Sequence, residues 1–246
     1  MNDAILPLKD KNLLITGSAR RIGKHLAVAM AREGANIIIH HGHSDENAEL
    51  TKSEIESLGG KAYILKADLN DAIQVKQLIP RASEFGQLFA LVNNASIFDA
   101  LSFSQTTLPE WQEHLNINLT APFLLSQAFA QALPPDENGR IVNILDWRAL
   151  RPGKDHFPYT ISKAGLVALT QFLALALAPR IIVNGLALGA IIPPDDTESL
   201  EKIIQPVPAG RWASIDELSQ ALLFLLAGPQ YITGEIIHVD GGRHLV

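Results

Sequence analysis

The chain has 246 residues, of which 47% are hydrophobic and 19% are charged, and its formal net charge is −6 with no cysteine. The length suffices for a buried core, while the acidic balance and the lack of a polybasic run argue against a nucleic-acid or membrane surface. Without cysteine there is neither a disulfide framework nor a thiolate metal site, and no bound metal is expected.

Short apolar runs alternate with segments of helical spacing along the chain. The runs predict strands at Asn12–Thr16, Asn36–His40, Ala62–Lys66, Gln87–Val92, Arg140–Leu145, Ile181–Asn184 and Glu235–Val239. The predicted helices are Ile22–Arg32, Asp45–Leu58, Asp71–Phe85, Pro109–Leu133 with a break near Asn116–Pro122, Phe157–Ala178 and Ser214–Ala227. This alternation predicts βαβ units, and therefore one doubly wound (Rossmann) α/β domain over residues 1–246, with about seven parallel strands and helices on both faces.

Neither a targeting segment nor a membrane span is predicted. The apolar run near the N-terminus is too short for a signal peptide. The segments Leu166–Ala178 and Ala221–Ala227 are shorter than the roughly 18–20 apolar residues that a span needs, so they are predicted to be buried helices. We therefore expect a cytoplasmic protein.

The segment Leu186–Trp212 is longer than the usual connection in such folds, and it contains Pro193, Pro194, Pro206 and Pro208. Its position after a strand end favours a loop that covers a site, with a plain surface excursion as the alternative. We place a substrate loop at about residues 186–212.

A glycine-containing turn, Thr16–Gly23, lies between the first strand and the first helix. Backbone N–H groups at such a helix N-terminus form an anion site, and Gly17 and Gly23 permit a tight turn and close packing. The turn predicts binding of a dinucleotide pyrophosphate, although a glycine turn alone is weak support.

The tip of the second strand distinguishes between the two nicotinamide cofactors. Folds that take NAD commonly place a carboxylate there to hold the ribose hydroxyls, whereas this chain has the segment His40–Ser44. No carboxylate repels a 2′-phosphate, and Arg21, His43 and Ser44 are candidate donors to one. The tip therefore favours NADPH over NADH, with a solvated loop as the alternative for the histidines.

Three residues form the outline of a proton-transfer site. Tyr159 and Lys163 are four residues apart and share a helix face, while Asp146 ends the apolar run Ile141–Leu145. Because a tyrosine with a pKa near 10 is a poor acid at neutral pH, we expect the lysine charge to lower that pKa. A carboxylate at Asp146 opposes a developing alkoxide but accepts hydrogen bonds from ring N–H and amino groups. The structural alternatives are a half-buried tyrosine beside a surface lysine, and an aspartate that caps a turn.

Over essentially its whole length the chain resembles the short-chain dehydrogenase/reductases. The motifs that carry the resemblance are Thr16–Gly23, Asn93–Ser96, Asn118, Tyr159-x-x-x-Lys163 and Val183-Asn184. The resemblance implies catalytic roles for Asn118, Tyr159 and Lys163. It also implies that Asp68 faces the adenine and that Asn94 stabilises the sheet near the cofactor. The implied cofactor-binding residues are Gly17, Arg20, Arg21, Ile22, Gly23, His43, Ser44, Asp68, Leu69, Asn94, Ala95, Ser96, Tyr159, Lys163 and Gly189.

Two departures from the common family pattern narrow the resemblance. Arg21 stands where most members have glycine, and Asp146 stands where they have a catalytic serine. Both features, with Phe98 and the ending Val239–Leu245, resemble the pteridine reductases and dihydromonapterin reductases, in which an aromatic at the position of Phe98 stacks on the pterin. The implied substrate-binding residues are Arg21, Ser96, Phe98, Asp146 and Tyr159, with Trp147 and Trp212 as further candidates for the pocket wall.

The leading interpretation is an NADPH-dependent reductase of a pterin ring, acting on a dihydropterin or on dihydrofolate. Asp146 would join Tyr159 and Lys163 in delivering a proton to a ring nitrogen. The enzymatic alternative is a broad carbonyl or 3-oxoacyl reductase, and the non-enzymatic alternative is an NADP-binding sensor or scaffold.

The helix Phe157–Ala178 is apolar almost all round, so it needs a partner on the face that the sheet does not cover. The helix within Pro109–Leu133 or a second subunit is a candidate for that partner. The family resemblance implies a homotetramer in which these two helices form one dimer interface.

Overall fold

In the computed structural model, which describes residues 6–193 and 200–246, the chain forms one seven-stranded sheet and eight helices. The strands are β1 (Asn12–Ile15), β2 (Asn36–His41), β3 (Ala62–Lys66), β4 (Leu88–Asn93), β5 (Gly139–Asp146), β6 (Ile181–Leu188) and β7 (Ile236–Val239). The helices are α1 (Arg21–Arg32), α2 (Asp45–Ser57), α3 (Ala72–Ser83), α4 (Leu108–Leu115), α5 (Ala121–Ala132), α6 (Phe157–Leu177), α7 (Leu200–Ile204) and α8 (Ile215–Ala227).

All strand pairs are parallel, in the order β3-β2-β1-β4-β5-β6-β7. The order reverses direction between β1 and β4, where α/β sheets of this kind bind ligands beyond the carboxyl ends of the strands. The doubly wound α/β prediction is therefore confirmed.

The two faces of the sheet bury separate cores because successive strand side chains point in opposite directions. Leu13 and Ile15 of β1 belong to the core beneath α1, α2 and α8, whereas Leu14 belongs to the core beneath α3, α5 and α6. Every residue in β1 is buried, so its unbroken apolar run is typical of a strand covered on both faces.

The predicted substrate loop begins too early in the chain. Leu186–Leu188 continue β6, pairing with Ile144–Asp146 of β5 and, on the other side, with β7. All three residues are buried, and this packing outweighs the loop signal that follows them. Residues 194–199 of the predicted loop lie outside the described residues.

The break that was predicted near Asn116–Pro122 is a widened helical turn. Asn116–Thr120 forms one π turn between α4 and α5, and the flanking residues keep helical backbone angles. Such π turns occur frequently at functional sites, and this one contains the buried Asn118.

Among the described helices, α6 alone has the length and mean hydropathy (1.5) of a membrane span. A core helix meets the same criteria, and α6 buries Leu166, Leu173 and Ala174. Its other face carries the exposed Phe172 and Leu175.

A chain of buried polar groups ties α6 to the sheet. The side-chain amide of Asn93 on β4 donates to Asn143 Oδ1 on β5 at 2.8 Å. Asn143 Nδ2 donates to Thr170 Oγ1 on α6, also at 2.8 Å, and Thr170 Oγ1 donates to the Leu166 carbonyl at 2.7 Å. This chain fixes the height of α6 over β5, and α6 carries Tyr159 and Lys163.

We expect Thr170→Val to lower the free energy of unfolding by about 1–3 kcal/mol, because it leaves the buried Asn143 amide without an acceptor. Thr160→Val is the matched control, since the buried Thr160 hydroxyl has no partner in the described part of the chain. Urea unfolding of both variants is the measurement. Equal losses in the two variants would contradict the proposed role of the Asn143–Thr170 bond.

Candidate active site

The carboxyl ends of the central strands open into a cavity of about 570 Å³, here called the central cleft. Its wall runs from the Gly17–Gly23 turn past Asn94 to Lys163 and Gly189. Every residue that the sequence assigned to cofactor binding lines this cleft. The roles of these residues stay a prediction, but the fold brings the whole predicted set together.

The glycine turn leaves no room for a larger residue. A Cβ at Gly23 would lie 2.2 Å from the Gly17 carbonyl oxygen and 2.6 Å from Asn94 Nδ2. Asn94 Nδ2 itself donates to the Thr16 carbonyl at 2.8 Å, which joins the turn to the end of β4. Gly17 has a φ of 63°, in the left-handed region that glycine adopts without strain.

The N-terminus of α1 is suited to an anion. It has no side-chain cap and no acidic residue in its first turn. Its first N–H groups therefore lack a capping acceptor, and no acidic side chain of that turn compensates the positive end of the helix dipole. A dinucleotide pyrophosphate has the complementary charge, and the close-packed glycines allow its approach to the backbone. The residues present therefore fit a dinucleotide cofactor.

His40 is a positioning residue that the sequence analysis missed. Buried at the end of β2, its Nδ1 accepts from the Gly17 N–H at 3.1 Å and its Nε2–H donates to the Ala67 carbonyl at 3.0 Å. The bond from Gly17 assigns the proton to Nε2. Burial lowers the pKa of His40 to about 4, so the ring stays neutral and keeps its acceptor for the turn. A histidine at the end of a buried strand beside a glycine turn was the available signal.

The tip of β2 carries no uncompensated carboxylate in the described structure. Asp45, the first acidic residue after the tip, pairs with Lys66 at 2.8 Å, and this hydrogen bond lowers the pKa of Asp45. His43 is exposed in the central cleft, with Ser44 beside it. In the described structure this end of the cleft therefore presents no unpaired carboxylate from the tip of β2 to repel a 2′-phosphate.

Arg21 adopts a φ of 50°, which is unusual for a residue with a side chain. Such a conformation costs about 1–3 kcal/mol and tends to persist at functional sites. The Arg21 side chain lines the central cleft and also a second cavity of about 630 Å³, here called the side cleft. A strained position that faces both cavities supports a role in binding.

The three predicted acid–base residues meet where the two clefts join. The Tyr159 hydroxyl donates to Asp146 Oδ2 at 3.0 Å. Lys163 Nζ donates to the Ile144 carbonyl at 2.7 Å and lies 5.8 Å from the centroid of the Tyr159 ring. Tyr159 and Asp146 line both clefts, while Lys163 lines the central one.

The expected effect of Lys163 on Tyr159 is wrong for this structure. Burial raises the pKa of Tyr159 well above its usual value, and the neighbouring Asp146 charge raises it further. Burial also lowers the pKa of Lys163 to about 8, which weakens the lysine as a stabiliser of a phenolate. The hydroxyl therefore keeps its proton and donates a hydrogen bond to Asp146.

Asp146 is a buried carboxylate whose negative charge is partly compensated by Arg148. Burial raises its pKa, against the hydrogen bond from the Arg148 backbone N–H at 2.8 Å and the Arg148 charge. Asp146 Oδ1 accepts that bond, whereas Oδ2 accepts from Tyr159. The carboxylate does cap the Trp147–Ala149 turn, so the structural alternative for Asp146 holds alongside its contact with Tyr159.

Asn118 forms hydrogen bonds with two residues that line the central cleft, Ser96 and Ile97. Its Oδ1 accepts from Ser96 Oγ and from the Ile97 N–H, both at 3.0 Å. Its Nδ2 donates to Ser162 Oγ at 3.0 Å and to the Ile97 carbonyl at 3.1 Å. Asn118 lines neither cleft, so its contacts favour a positioning role for the loop after β4, and its catalytic role stays a prediction.

Phe98 lies in the wall of both clefts and is 49% exposed. His156 stacks on one face of its ring, with centroids 3.7 Å apart, and the Tyr159 ring lies at 78° to it with centroids 4.6 Å apart. The Arg148 guanidinium carbon is 5.6 Å from the Phe98 centroid, so protein groups already surround this ring and its stacking on a substrate stays a prediction. Ser96, predicted to bind substrate, lines the central cleft and not the side cleft.

The segment after β6 supplies one wall of the side cleft through Ile191, Ile203, Val207 and Trp212. Trp147 lines the same cleft, as the sequence indicated for both tryptophans. Arg148, His156 and Arg243 also line it, and the sequence analysis missed all three. No group of three or more histidine or acidic residues that suits a metal ion occurs in the described part of the chain.

This fold and site define a nicotinamide-dependent oxidoreductase of the Rossmann type. The chain belongs to the short-chain dehydrogenase/reductase family, and the family model described as Enoyl-(Acyl carrier protein) reductase matches residues 17–244. The family resemblance is therefore confirmed.

Curated and solved relatives cover nearly the whole chain. A 3-oxoacyl-[acyl-carrier-protein] reductase of Synechocystis is 34% identical over 93% of this chain and 95% of its own length. The structure of FolM Alternative dihydrofolate reductase 1 from Brucella canis, complexed with NADP, has a TM-score of 0.90 at 34% identity and covers 99% of this chain and 97% of its own. The structure of a short chain dehydrogenase from Burkholderia cenocepacia, also in complex with NADP, has a TM-score of 0.90 at 35% identity. It covers 96% of this chain and 99% of its own.

The pH dependence of stability tests the role of His40. Its pKa falls from 6.5 to about 4 on folding, so between these pH values the unfolded chain binds a proton that the folded chain does not. The contribution of His40 to folding stability should therefore fall by about 3 kcal/mol as the pH drops from 6.5 to 4.

His40→Asn should remove this loss, because asparagine does not titrate. The exposed His25→Asn is the control and should follow the wild-type curve. Urea unfolding at several pH values gives the comparison, and parallel curves for His40→Asn and wild type would contradict the assignment.

Proposed function

We propose that the protein reduces a pterin ring with NADPH. The observation that carries the proposal is the 3.0 Å bond from the Tyr159 hydroxyl to Asp146, a buried carboxylate in the wall of the side cleft. A carboxylate repels a developing alkoxide, but it accepts hydrogen bonds from the amino and N–H groups of a pterin. The site is therefore better suited to a nitrogen-rich ring than to a ketone.

Residues of the central cleft would hold NADPH, which supplies a hydride when bound. The N-terminus of α1 takes the pyrophosphate, and Arg21, His43 and Ser44 take the 2′-phosphate. Asp68 faces the adenine, and Tyr159 and Lys163 hold the nicotinamide ribose. The NADP in the solved structures from Brucella canis and Burkholderia cenocepacia supports this cofactor.

The protein groups supply the proton. Because burial and Asp146 keep Tyr159 protonated, its hydroxyl is a donor, and Asp146 orients it. The Tyr159 hydroxyl would turn from Asp146 to the ring nitrogen beside the carbon that is reduced and give up its proton there, which leaves a phenolate next to the Asp146 carboxylate. Lys163, charged at neutral pH with a pKa of about 8, limits the cost of the negative charge that remains on the Tyr159–Asp146 pair.

A 3-oxoacyl or carbonyl reductase is the second candidate, and the Synechocystis relative supports it. The dihydrofolate reductase named in the Brucella structure supports the pterin. The two candidate functions predict opposite effects of Asp146. In a pterin reductase its carboxylate would bind the substrate, whereas in a ketone reductase it would hinder the reaction.

The assembly that we propose is a homotetramer in the cytoplasm. Phe172 and Leu175 of α6 are 69% and 84% exposed, and Phe123 of α5 is 41% exposed. A second subunit packed on these side chains would remove this apolar surface from water.

Asp146→Ser should lower kcat/KM for dihydrobiopterin by at least about 100-fold and raise activity toward simple ketones, because it replaces an acceptor with a donor. Asp136→Ser is the control, since Asp136 is exposed and lines neither cleft. NADPH oxidation with both substrates is the assay. Retained pterin reduction in Asp146→Ser would disprove the role of the carboxylate.

His43→Asp should lower kcat/KM for NADPH about tenfold or more while that for NADH changes little, because the new carboxylate faces the 2′-phosphate. His25→Asp adds the same charge at an exposed position that lines neither cleft. Steady-state kinetics with both cofactors test this, and equal effects of the two substitutions would exclude a contact between His43 and the 2′-phosphate.

A further inference from the structure

Two arginines pack on one tryptophan in the side cleft. The guanidinium carbon of Arg243 lies 4.4 Å from the centroid of the Trp147 ring, and that of Arg148 lies 4.8 Å from it. All three residues line the cleft that contains Asp146 and Tyr159. Packing on an aromatic ring holds a guanidinium plane in place and leaves its N–H groups for a ligand.

The positive charges of Arg148 and Arg243 are only partly compensated by the acidic side chains that the structure describes. Arg148 lies 3.3 Å from Asp155 and 3.9 Å from Asp146, yet its buried Nε has no hydrogen-bond partner in residues 6–193 and 200–246. Within the same residues the Arg243 side chain has no salt bridge to an acidic side chain, and its one hydrogen bond runs from Nη1 to the Val246 oxygen at 3.0 Å.

The charged residues that act on Arg243 carry both signs. Among the described residues, Asp240 is the carboxylate whose charge raises the pKa of Arg243, and it is itself paired with His244 at 2.8 Å. Burial lowers the pKa of Arg243, and the positive charges of Arg151 and Arg148 lower it further. Arg148 and Arg243 therefore lie together beside the cavity, and within the described ranges 6–193 and 200–246 no acidic side chain is within salt-bridge distance of Arg243.

We propose that Arg148 and Arg243 bind an anionic substituent of the substrate, a carboxylate or a phosphate, at a distance from the ring that is reduced. Guanidinium forks match both groups bidentately. The side cleft of about 630 Å³ is larger than a bare bicyclic ring requires. The inference rests on the proposed function, and it narrows the substrate class to pterins with an anionic tail.

The test compares charged and uncharged pterins in wild type, Arg243→Gln and Arg243→Lys. Dihydrofolate carries carboxylates, dihydroneopterin phosphate carries a phosphate, and dihydrobiopterin carries neither. Arg151→Gln is the matched control, because Arg151 is an exposed arginine of the same cluster that lines neither cleft. Binding of folate and biopterin to the NADP⁺-loaded protein, followed by tryptophan fluorescence, gives a readout that does not require turnover.

We expect Arg243→Gln to lower the ratio of kcat/KM for a charged over the uncharged pterin by about tenfold, through KM, because a charge-assisted hydrogen bond is lost. Arg243→Lys should recover part of the ratio, and Arg151→Gln should keep it. A larger effect on dihydrofolate identifies a carboxylate tail, and a larger effect on the phosphate identifies a phosphorylated one.

An unchanged ratio in Arg243→Gln, or an equal fall in Arg151→Gln, would overturn the proposed subsite while pterin reduction stands. If no pterin is reduced, the proposed function fails. The fluorescence assay then decides on the subsite alone: folate that binds no more tightly than biopterin, or binding that Arg243→Gln does not weaken, rejects it.

Discussion

The packing of α6 against β5 is the constraint on which the site depends. Lys163 Nζ on α6 donates to the Ile144 carbonyl on β5 at 2.7 Å, and Asn143 on β5 donates to Thr170 on α6 at 2.8 Å. These two bonds, nearly two helical turns apart, hold the helix at one height along the strand. Tyr159 is thereby placed against Asp146, the last residue of β5, and the acid–base pair is a consequence of this docking.

Burial changes the pKa of both members of the Tyr159–Asp146 pair. An exposed tyrosine beside an exposed aspartate would titrate independently, whereas here desolvation raises the pKa of both groups. The phenol keeps its proton, and Arg148 stabilises the carboxylate that receives its hydrogen bond. Lys163 keeps a positive charge near the pair at neutral pH, and in the mechanism proposed above this charge would stabilise the negative charge left by proton transfer.

The family does not by itself determine the substrate. Relatives at 34% identity include a 3-oxoacyl reductase by sequence and a dihydrofolate reductase by structure, and both cover nearly the whole chain. The fold supports either activity, so the choice falls to side chains such as Asp146, Arg148 and Arg243 that line the side cleft.

The sequence by itself determined the order of strands and helices, the glycine turn and the Tyr159–Lys163 pair, because these depend on local periodicity and spacing. Only the tertiary structure decided that β6 continues to Leu188, since the strand is extended by pairing with β5 and β7. The same holds for the pKa of Tyr159, which depends on burial and on a carboxylate that is distant in sequence. His40 contacts Gly17 and Arg243 contacts Trp147, and no local pattern reveals these contacts because the fold alone brings those residues together.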